Sequence, residues 1–260
     1  MAGQVRSETH GPLGWIIFDH PERRNAISGE MWRAIPDLVY AHEHDPAVRV
    51  VIMRGAGEMA FVSGADISEF EHSRSGVGAE DYDASNARAI GALAMCAKPV
   101  IALIHGFCVG GGCAIALAAD LRYAADDAVF AIPAARLGLG YGAAGLELLV
   151  SVVGFANAKE IFFTARRYTA NEAQHMGLVN RVVPKAEVDA YVTKIAEDIA
   201  ANAPLTVGSA KLILRELMKD SAARDHEAIT DSIRACYASA DYAEGVRAFL
   251  EKRKPRFAGR

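Results

Sequence analysis

Three consecutive glycines, Gly110, Gly111 and Gly112, precede Cys113–Ala119, a run with no polar side chain. A short segment that is apolar all round belongs inside a domain. It is also too short to cross a bilayer. If it is helical from Gly112, the glycines lie at its N-terminus, where unpaired N–H groups point outward. Glycine lets a ligand approach the backbone closely. The pattern fits a main-chain site for an oxyanion or a phosphate. A tight strand-to-helix turn with no ligand fits it equally well. A second segment, Phe61–Ile67 (FVSGADI), places small residues where its own N–H groups could converge on the first.

Side chains that could add acid, base or charge are scattered around these segments. Asp66 either works in the site or caps the turn that follows it. His105 ends an apolar strand and reads as a hydrogen-bonded core histidine rather than a base. Glu69 and His72 lie beside a polar, Gly-rich stretch (71–79) that reads as a mobile loop, from which they could enter the site. Arg136, Tyr141 and Glu147 lie in or just after Pro133–Gly145, a segment of small residues that reads as a long irregular loop. Loops of that length in compact domains are usually functional or disordered, and its apolar character argues against disorder. Cys96, Cys108, Cys113 and Cys236 show no C-x-x-C spacing and no activating basic neighbour. They read as reduced thiols of a cytoplasmic protein. No metal site and no separate cofactor are read.

The elements that must position these residues follow from pattern. Residues 4–19 read as a hairpin turning at Gly11–Gly14, and Pro21–Ile27 as a polar loop carrying Arg23 and Arg24. Ser28 can cap a helix running to about His44. Arg49–Arg54 and Val100–Ile104 read as buried strands, with Ala84–Ala97 helical between them. Leu121–Ala124 and Val129–Ile132 read as further strands. Gly145–Val153 and Ala156–Thr164 read as helices broken at Gly154, and Thr169–Glu172 is a capping box. After the strand Leu178–Val183 only helices are predicted, over about 187–202, 204–218, 222–239 and 242–253. The chain therefore divides into a mixed part, 1–185, and a helical part, 186–260. Leu212, Ile213, Leu217, Phe249 and Leu250 in the latter are apolar positions suited to cover the first part or a neighbouring subunit.

At 260 residues and 52% hydrophobic, the chain fits one large domain, or one with an appendage, and a sizeable core. A net charge of −4 argues against a general nucleic-acid binder. No run reaches the ~18 apolar residues of a membrane span, and the first ten residues carry no signal-peptide core.

Taken together, the PERRNAI loop, GADI, the triple glycine, RLGL (Arg136–Leu139), the Ala158–Pro184 block and the FLEKRKPRF tail (Phe249–Phe257) resemble the enoyl-CoA hydratase, or crotonase, family. The resemblance covers nearly the whole chain. It implies an α/β (α+β) fold: a crotonase-like spiral of ββα units with a C-terminal helical trimerisation region, giving a homotrimer or hexamer. It implies an acyl-CoA substrate whose thioester oxygen is held by the N–H groups of Ala65 and Gly111. Arg24, Ala26, Ser63, Asp66, Ile67, Gly110, Ala114, Ala134 and Leu137 would line the substrate. Arg23 and Arg24 match a loop that runs along CoA in the family. Lys252, with Arg253 and Lys254, matches a tail that reaches the adenine end of CoA in a neighbouring subunit; a solvated basic terminus is the alternative.

The sequence departs from the family's hydratases at two positions. The glutamates that activate water and deliver a proton fall, by the resemblance, on Ala114 and Ala134. Methyl groups transfer no protons, and losing one such group typically costs about 10²–10⁴ in rate. The main-chain oxyanion hole survives both changes. Hydratase or isomerase chemistry would then rest on other groups, Tyr141 and Glu147 among them. Alternatively the chain decarboxylates a malonyl-type CoA ester, which generates the enolate by loss of CO₂ and needs no carbon base. Phe130–Tyr141 resembles a segment of the family's methylmalonyl-CoA decarboxylases, which share the tyrosine but keep an acid at the position of Ala114 and a histidine at that of Ala65. An acyl-CoA-binding protein with impaired catalysis is a third outcome.

Overall fold

In the computed structural model, residues 3–66 and 77–260 are described, 77–80 by their backbone alone. Ile67, Glu69 and His72 lie outside the described residues.

Two sheets carry the fold. The hairpin β1 (Gln4–His10) and β2 (Leu13–Asp19) leads into a parallel ladder of β3 (Val50–Gly55), β5 (Val100–Ile104), β7 (Leu121–Ala125) and β10 (Arg181–Val183). A second sheet is built from β4 (Ala60–Val62), β6 (Phe107–Val109), β8 (Val129–Ala131) and β9 (Tyr168–Thr169), in that order. Each turn of the chain thus contributes one strand to the first sheet and the next to the second, then a helix. Those helices are α2 (Val77–Met95) after β4, α3 (Gly111–Leu117) after β6 and α4 (Ala134–Leu137) after β8. This is the spiral of ββα units that the resemblance implies. Parallel neighbours require such crossovers, and strands covered on both faces read as continuous apolar runs. Val100–Ile104 is wholly buried.

Local signals act as expected at several ends. The Ser28 side chain accepts from Met31 N–H and opens α1 (Gly29–His44). Helix α5 (Ala143–Thr164) breaks at Gly154, whose φ is 73°. Thr169 and Glu172 form the reciprocal capping box of α6 (Ala170–His175). Four helices follow: α7 (Val188–Ala200), α8 (Pro204–Leu217), α9 (His226–Ala238) and α10 (Ala240–Leu250). Helix α7 lies over the first sheet, burying Val188, Val192, Ala196 and Ala200 against Leu13, Ile52, Ile101 and Leu103.

Four elements differ from the sequence reading. Strands β6 and β9 are too short to show periodicity; β6 is defined by parallel pairing between β4 and β8, and β9 by antiparallel pairing with β8. Helix α2 begins at Val77 instead of Ala84. Tyr82 is buried there, and the Trp32 indole N–H donates to its hydroxyl at 3.1 Å, so packing overrides the loop-like composition. The segment Pro133–Gly145 is not wholly irregular. It holds the single turn α4, closed by Gly138 at φ 64°, with Leu139 N–H donating to Ala134 C=O at 3.0 Å.

Candidate functional site

The glycine turn is held in place by what surrounds it. Gly110 sits at φ 54° and ψ −111°, a region closed to residues with a Cβ, and its N–H donates to Ala131 C=O at 2.8 Å. A Cβ on Gly112 would lie 2.1 Å from Val62 C=O oxygen, so β4 and α3 touch backbone to backbone. Gly111 has more room: a Cβ there would lie 3.1 Å from the Trp32 ring, 3.6 Å from Ile27 and 3.9 Å from Ala65 N.

Ala65 reaches the same place from the other side. Ile27 and Ala65 form a parallel bridge in which Ile27 N–H donates to Gly64 C=O (2.8 Å) and Asp66 N–H to Ile27 C=O (2.9 Å). In a parallel ladder that pattern turns the N–H of the middle residue away from its partner strand. The N–H of Gly111 is the first of its helix and has no acceptor within it. Among the described residues, no acceptor stands against either N–H. Two unpaired main-chain donors therefore lie beside one another, each on a half-buried residue. Helix α3 has only seven residues. Its dipole is a smaller resource than the sequence suggested, and the paired donors matter more.

The early loop forms one wall. Arg23 and Arg24 are exposed, and Ser63 fastens the loop by donating from N–H to Arg24 C=O (3.1 Å) and from its hydroxyl to Arg23 C=O (3.1 Å). The Arg24 guanidinium lies 4.9 Å from the centre of the Phe107 ring. Ala26 is buried. Asp66 is also buried, and Arg23 donates to its carboxylate at 2.8 Å. The turn that Asp66 was read to cap lies outside the described residues. Asn25 is a positioning residue that sequence reasoning missed. Fully buried at φ 56°, it donates to Ala60 C=O (2.8 Å) and Ala56 C=O (3.1 Å) and accepts from His20 N–H (3.0 Å). An asparagine directly after a turn of polar residues is the signal that could have found it, because asparagine tolerates the left-handed region.

The opposite wall is formed by side chains. Ala114 is half-buried on α3, and Ala134 is buried at the start of α4. The Gly110–Ala131 hydrogen bond brings the Pro133–Ala134 corner to the glycine turn. Tyr141 packs edge-on against Phe162, ring centres 4.8 Å apart. Tyr141 and Glu147 both line a cleft of about 1050 Å³ between α2, the segment 139–151 and the end of α8. Glu147 is exposed on its helix. Leu137 is 59% exposed. Arg136 is exposed, with no carboxylate against it among the described residues.

Other sequence candidates are placed elsewhere. His105 is buried, and its Nε2 lies 2.5 Å from Asp189 of α7, which also pairs with Arg54 at 2.6 Å. The histidine donor and the Arg54 charge hold the Asp189 carboxyl below its ordinary value. His105 is thus part of the core, as its sequence context indicated. Lys252 is exposed after α10 at φ 53°. Its neighbour Arg253 is bound to Glu244 (2.6 and 2.9 Å) and holds that carboxyl down to about 2. Cys108 and Cys113 lie buried behind the glycine turn, and burial pushes the Cys108 thiol well up. Such thiols are inert. Arg122, also unremarked in the sequence, is buried and donates to Ala119 C=O (2.6 Å) and Leu178 C=O (2.9 Å), closing the C-terminal end of α3. Among the described residues, no three His, Cys, Asp or Glu side chains are grouped to hold a metal ion, and no helix is long and apolar enough to cross a membrane.

Known proteins are similar to this chain in sequence and fold. The sequence model of the enoyl-CoA hydratase/isomerase family matches residues 8–260. The chain is 36% identical over 250 residues to the crotonyl-CoA hydratase of Syntrophomonas wolfei, covering 96% of each. It is 35% identical over 266 residues to the peroxisomal Delta(3,5)-Delta(2,4)-dienoyl-CoA isomerase of Arabidopsis thaliana, covering 98% of this chain and 95% of the relative. The crystal structure of an enoyl-CoA hydratase/carnithine racemase from Magnetospirillum magneticum superposes with a TM-score of 0.94 at 36% identity, over 98% of this chain and 96% of that one. With its two-sheet spiral and a match running from residue 8 to residue 260, the chain belongs to the enoyl-CoA hydratase/isomerase family.

Proposed function

We propose that the protein binds an acyl-CoA thioester and stabilises its enolate between the N–H groups of Ala65 and Gly111, in a hydratase- or isomerase-type reaction of acyl-CoA breakdown. The observation that carries this reading is the pair of unpaired donors, brought together by the Ile27–Ala65 bridge and by the close seat of Gly111 on Trp32. A donor aimed at a developing oxyanion typically contributes about 10²–10³ in rate. The relatives named above act on CoA esters in two ways, one by hydration and one by isomerisation, so the family alone does not choose between them.

Proton handling falls to side chains other than those at positions 114 and 134, which are alanines. We assign it to Tyr141 and Glu147, two of the polar groups that line the cleft along α2. The absence of a carboxylate at both alanines also favours a second reading, decarboxylation of a malonyl-type CoA ester, where the leaving CO₂ supplies the enolate. The deciding experiment offers the purified protein crotonyl-CoA, a 3,5-dienoyl-CoA and malonyl- and methylmalonyl-CoA. Hydration or double-bond migration supports the first reading, and CO₂ release the second. Absence of both turnover and binding for every thioester would overturn the two together.

A further inference from the structure

The three glycines of the turn are not held alike. Gly110 is tied through its N–H to Ala131 C=O, and a Cβ on Gly112 would collide with the Val62 carbonyl oxygen, so both are fixed against backbone. Gly111, whose N–H is one of the two donors, meets side chains first. A Cβ there would lie 3.1 Å from Trp32 Cζ2 and 3.6 Å from Ile27 Cγ2. Both side chains belong to the segment that opens α1, where Trp32 N–H donates to Ser28 C=O at 3.0 Å. Ile27 also forms the backbone bridge to Ala65. One stretch, Ile27–Trp32, thus seats both donors.

Trp32 is itself held at the edge that matters. It is 1% exposed, and its indole N–H donates to the Tyr82 hydroxyl of α2 at 3.1 Å. In an indole, Nε1 and Cζ2 are both bonded to Cε2. The hydrogen bond and the Gly111 contact therefore lie on the same edge of the ring. A close-packed interior leaves few voids into which the ring could turn, so the constraint passes to Gly111. Without the hydroxyl, a buried N–H would lose its acceptor.

We infer that Trp32, tethered by Tyr82, is a positioning residue that holds Gly111 so that its N–H and that of Ala65 converge on one thioester oxygen. The inference rests on the acyl-CoA reading above and adds to it two side chains that act through Gly111.

Acetoacetyl-CoA tests this whichever reaction the protein catalyses. Once bound it can release its C2 proton to water, and the enolate that remains absorbs in the near ultraviolet. The experiment measures, on the full-length protein at one pH, the enolate-to-keto ratio of bound acetoacetyl-CoA. Beside it stands the Kd of butyryl-CoA, which has no second carbonyl to acidify C2. Tyr82→Phe removes one hydroxyl, and Trp32→Phe removes Cζ2. Each should lower the ratio about tenfold, a part of what a misplaced donor costs, while butyryl-CoA binding stays within about threefold. Trp15→Phe makes the same exchange on β2 and should leave the ratio unchanged. An unchanged ratio in folded Tyr82→Phe or Trp32→Phe protein, an equal fall in Trp15→Phe, or a matching loss of butyryl-CoA binding would overturn the positioning role while leaving the acyl-CoA reading intact. If the unaltered protein binds neither ester, or binds acetoacetyl-CoA only as the ketone, the donor reading itself fails, and the role of Trp32 with it.

Discussion

The two walls of the site are built in opposite ways. On the donor wall, Gly110–Gly112 and Ala65 present main-chain groups, and Gly110 and Gly112 are held against the backbone of Ala131 and Val62. On the facing wall, Ala114 and Ala134 offer only methyl groups, while Tyr141 and Glu147 line the cleft along α2. The first wall tolerates almost no change because a Cβ at Gly112 has nowhere to go. On the second, exposed Glu147 and half-buried Ala114 and Tyr141 can be exchanged at small cost to the fold, whereas Ala134 is buried. On the function proposed above, such a site keeps the half of its chemistry that polarises a thioester while the half that moves protons is replaced.

This contrast can be broken most severely at Gly112. Gly112→Ala places its methyl 2.1 Å from a backbone oxygen, and the variant is expected not to yield soluble folded protein, read by expression and thermal melting. Gly111→Ala, one residue earlier, should fold, because the nearest obstacle is a side chain at 3.1 Å. Its methyl crowds the space beside Ala65 N–H, so turnover of whichever thioester proves active should fall about 10²-fold. A Gly111→Ala protein of unchanged activity would separate Gly111 from the chemistry.

The side-chain wall is sharpened by adding what it lacks. Glutamates introduced together at Ala114 and Ala134 should raise crotonyl-CoA hydration by about 10². If hydration does not rise, the pocket is shaped for another reaction. Ala134 is buried, so the cost of placing a carboxylate there should appear as a lowered Tm in the Ala134→Glu single variant.

Smaller effects are expected away from both walls. Asp189 has its pKa depressed by the His105 hydrogen bond and Arg54, so its stabilisation is complete above the unfolded value of about 3.9 and is lost as pH falls through the lower folded value. Asp189→Asn should therefore flatten the decline of Tm below about pH 4, measured by melting between pH 3 and 5. Parallel declines in the two proteins would remove Asp189 from the acid response. Last, Arg23→Ala breaks the pair with Asp66, but Arg23 is half exposed, so the loss of stability should stay below about 1 kcal/mol. A larger loss would show that this pair, rather than Asn25, holds the early loop.

The legibility of the molecule in its sequence follows the same division. Main-chain features leave marks, because glycine at a crowded or left-handed position has no substitute: the triple glycine, GADI, the cap at Ser28 and the break at Gly154 could all be read directly. Asn25 and Arg122 could not. Their partners are carbonyls of residues distant in sequence, such as Ala60 and Leu178, and carbonyls carry no sequence signature. Strands β6 and β9 were hidden for a related reason, being defined by neighbours instead of by their own pattern. The start of α2 was hidden because the burial of Tyr82 and its hydrogen bond from Trp32 join residues 50 positions apart.

The sequence by itself determined the apolar strands, the capped and broken helices and two segments of small residues whose N–H groups could converge, because residue types act locally through backbone freedom and apolar runs; the spiral of ββα units and the meaning of the methyl groups at positions 114 and 134 came from its resemblance to a known family. Tertiary structure alone decided that the N–H groups of Ala65 and Gly111 are left without partners side by side, that Asp66 is engaged by Arg23, and that a long apolar cleft opens along α2. Each of these is a relation between segments distant in sequence, set by which atoms packing brings within a few ångströms, and that information is present only when the chain is folded.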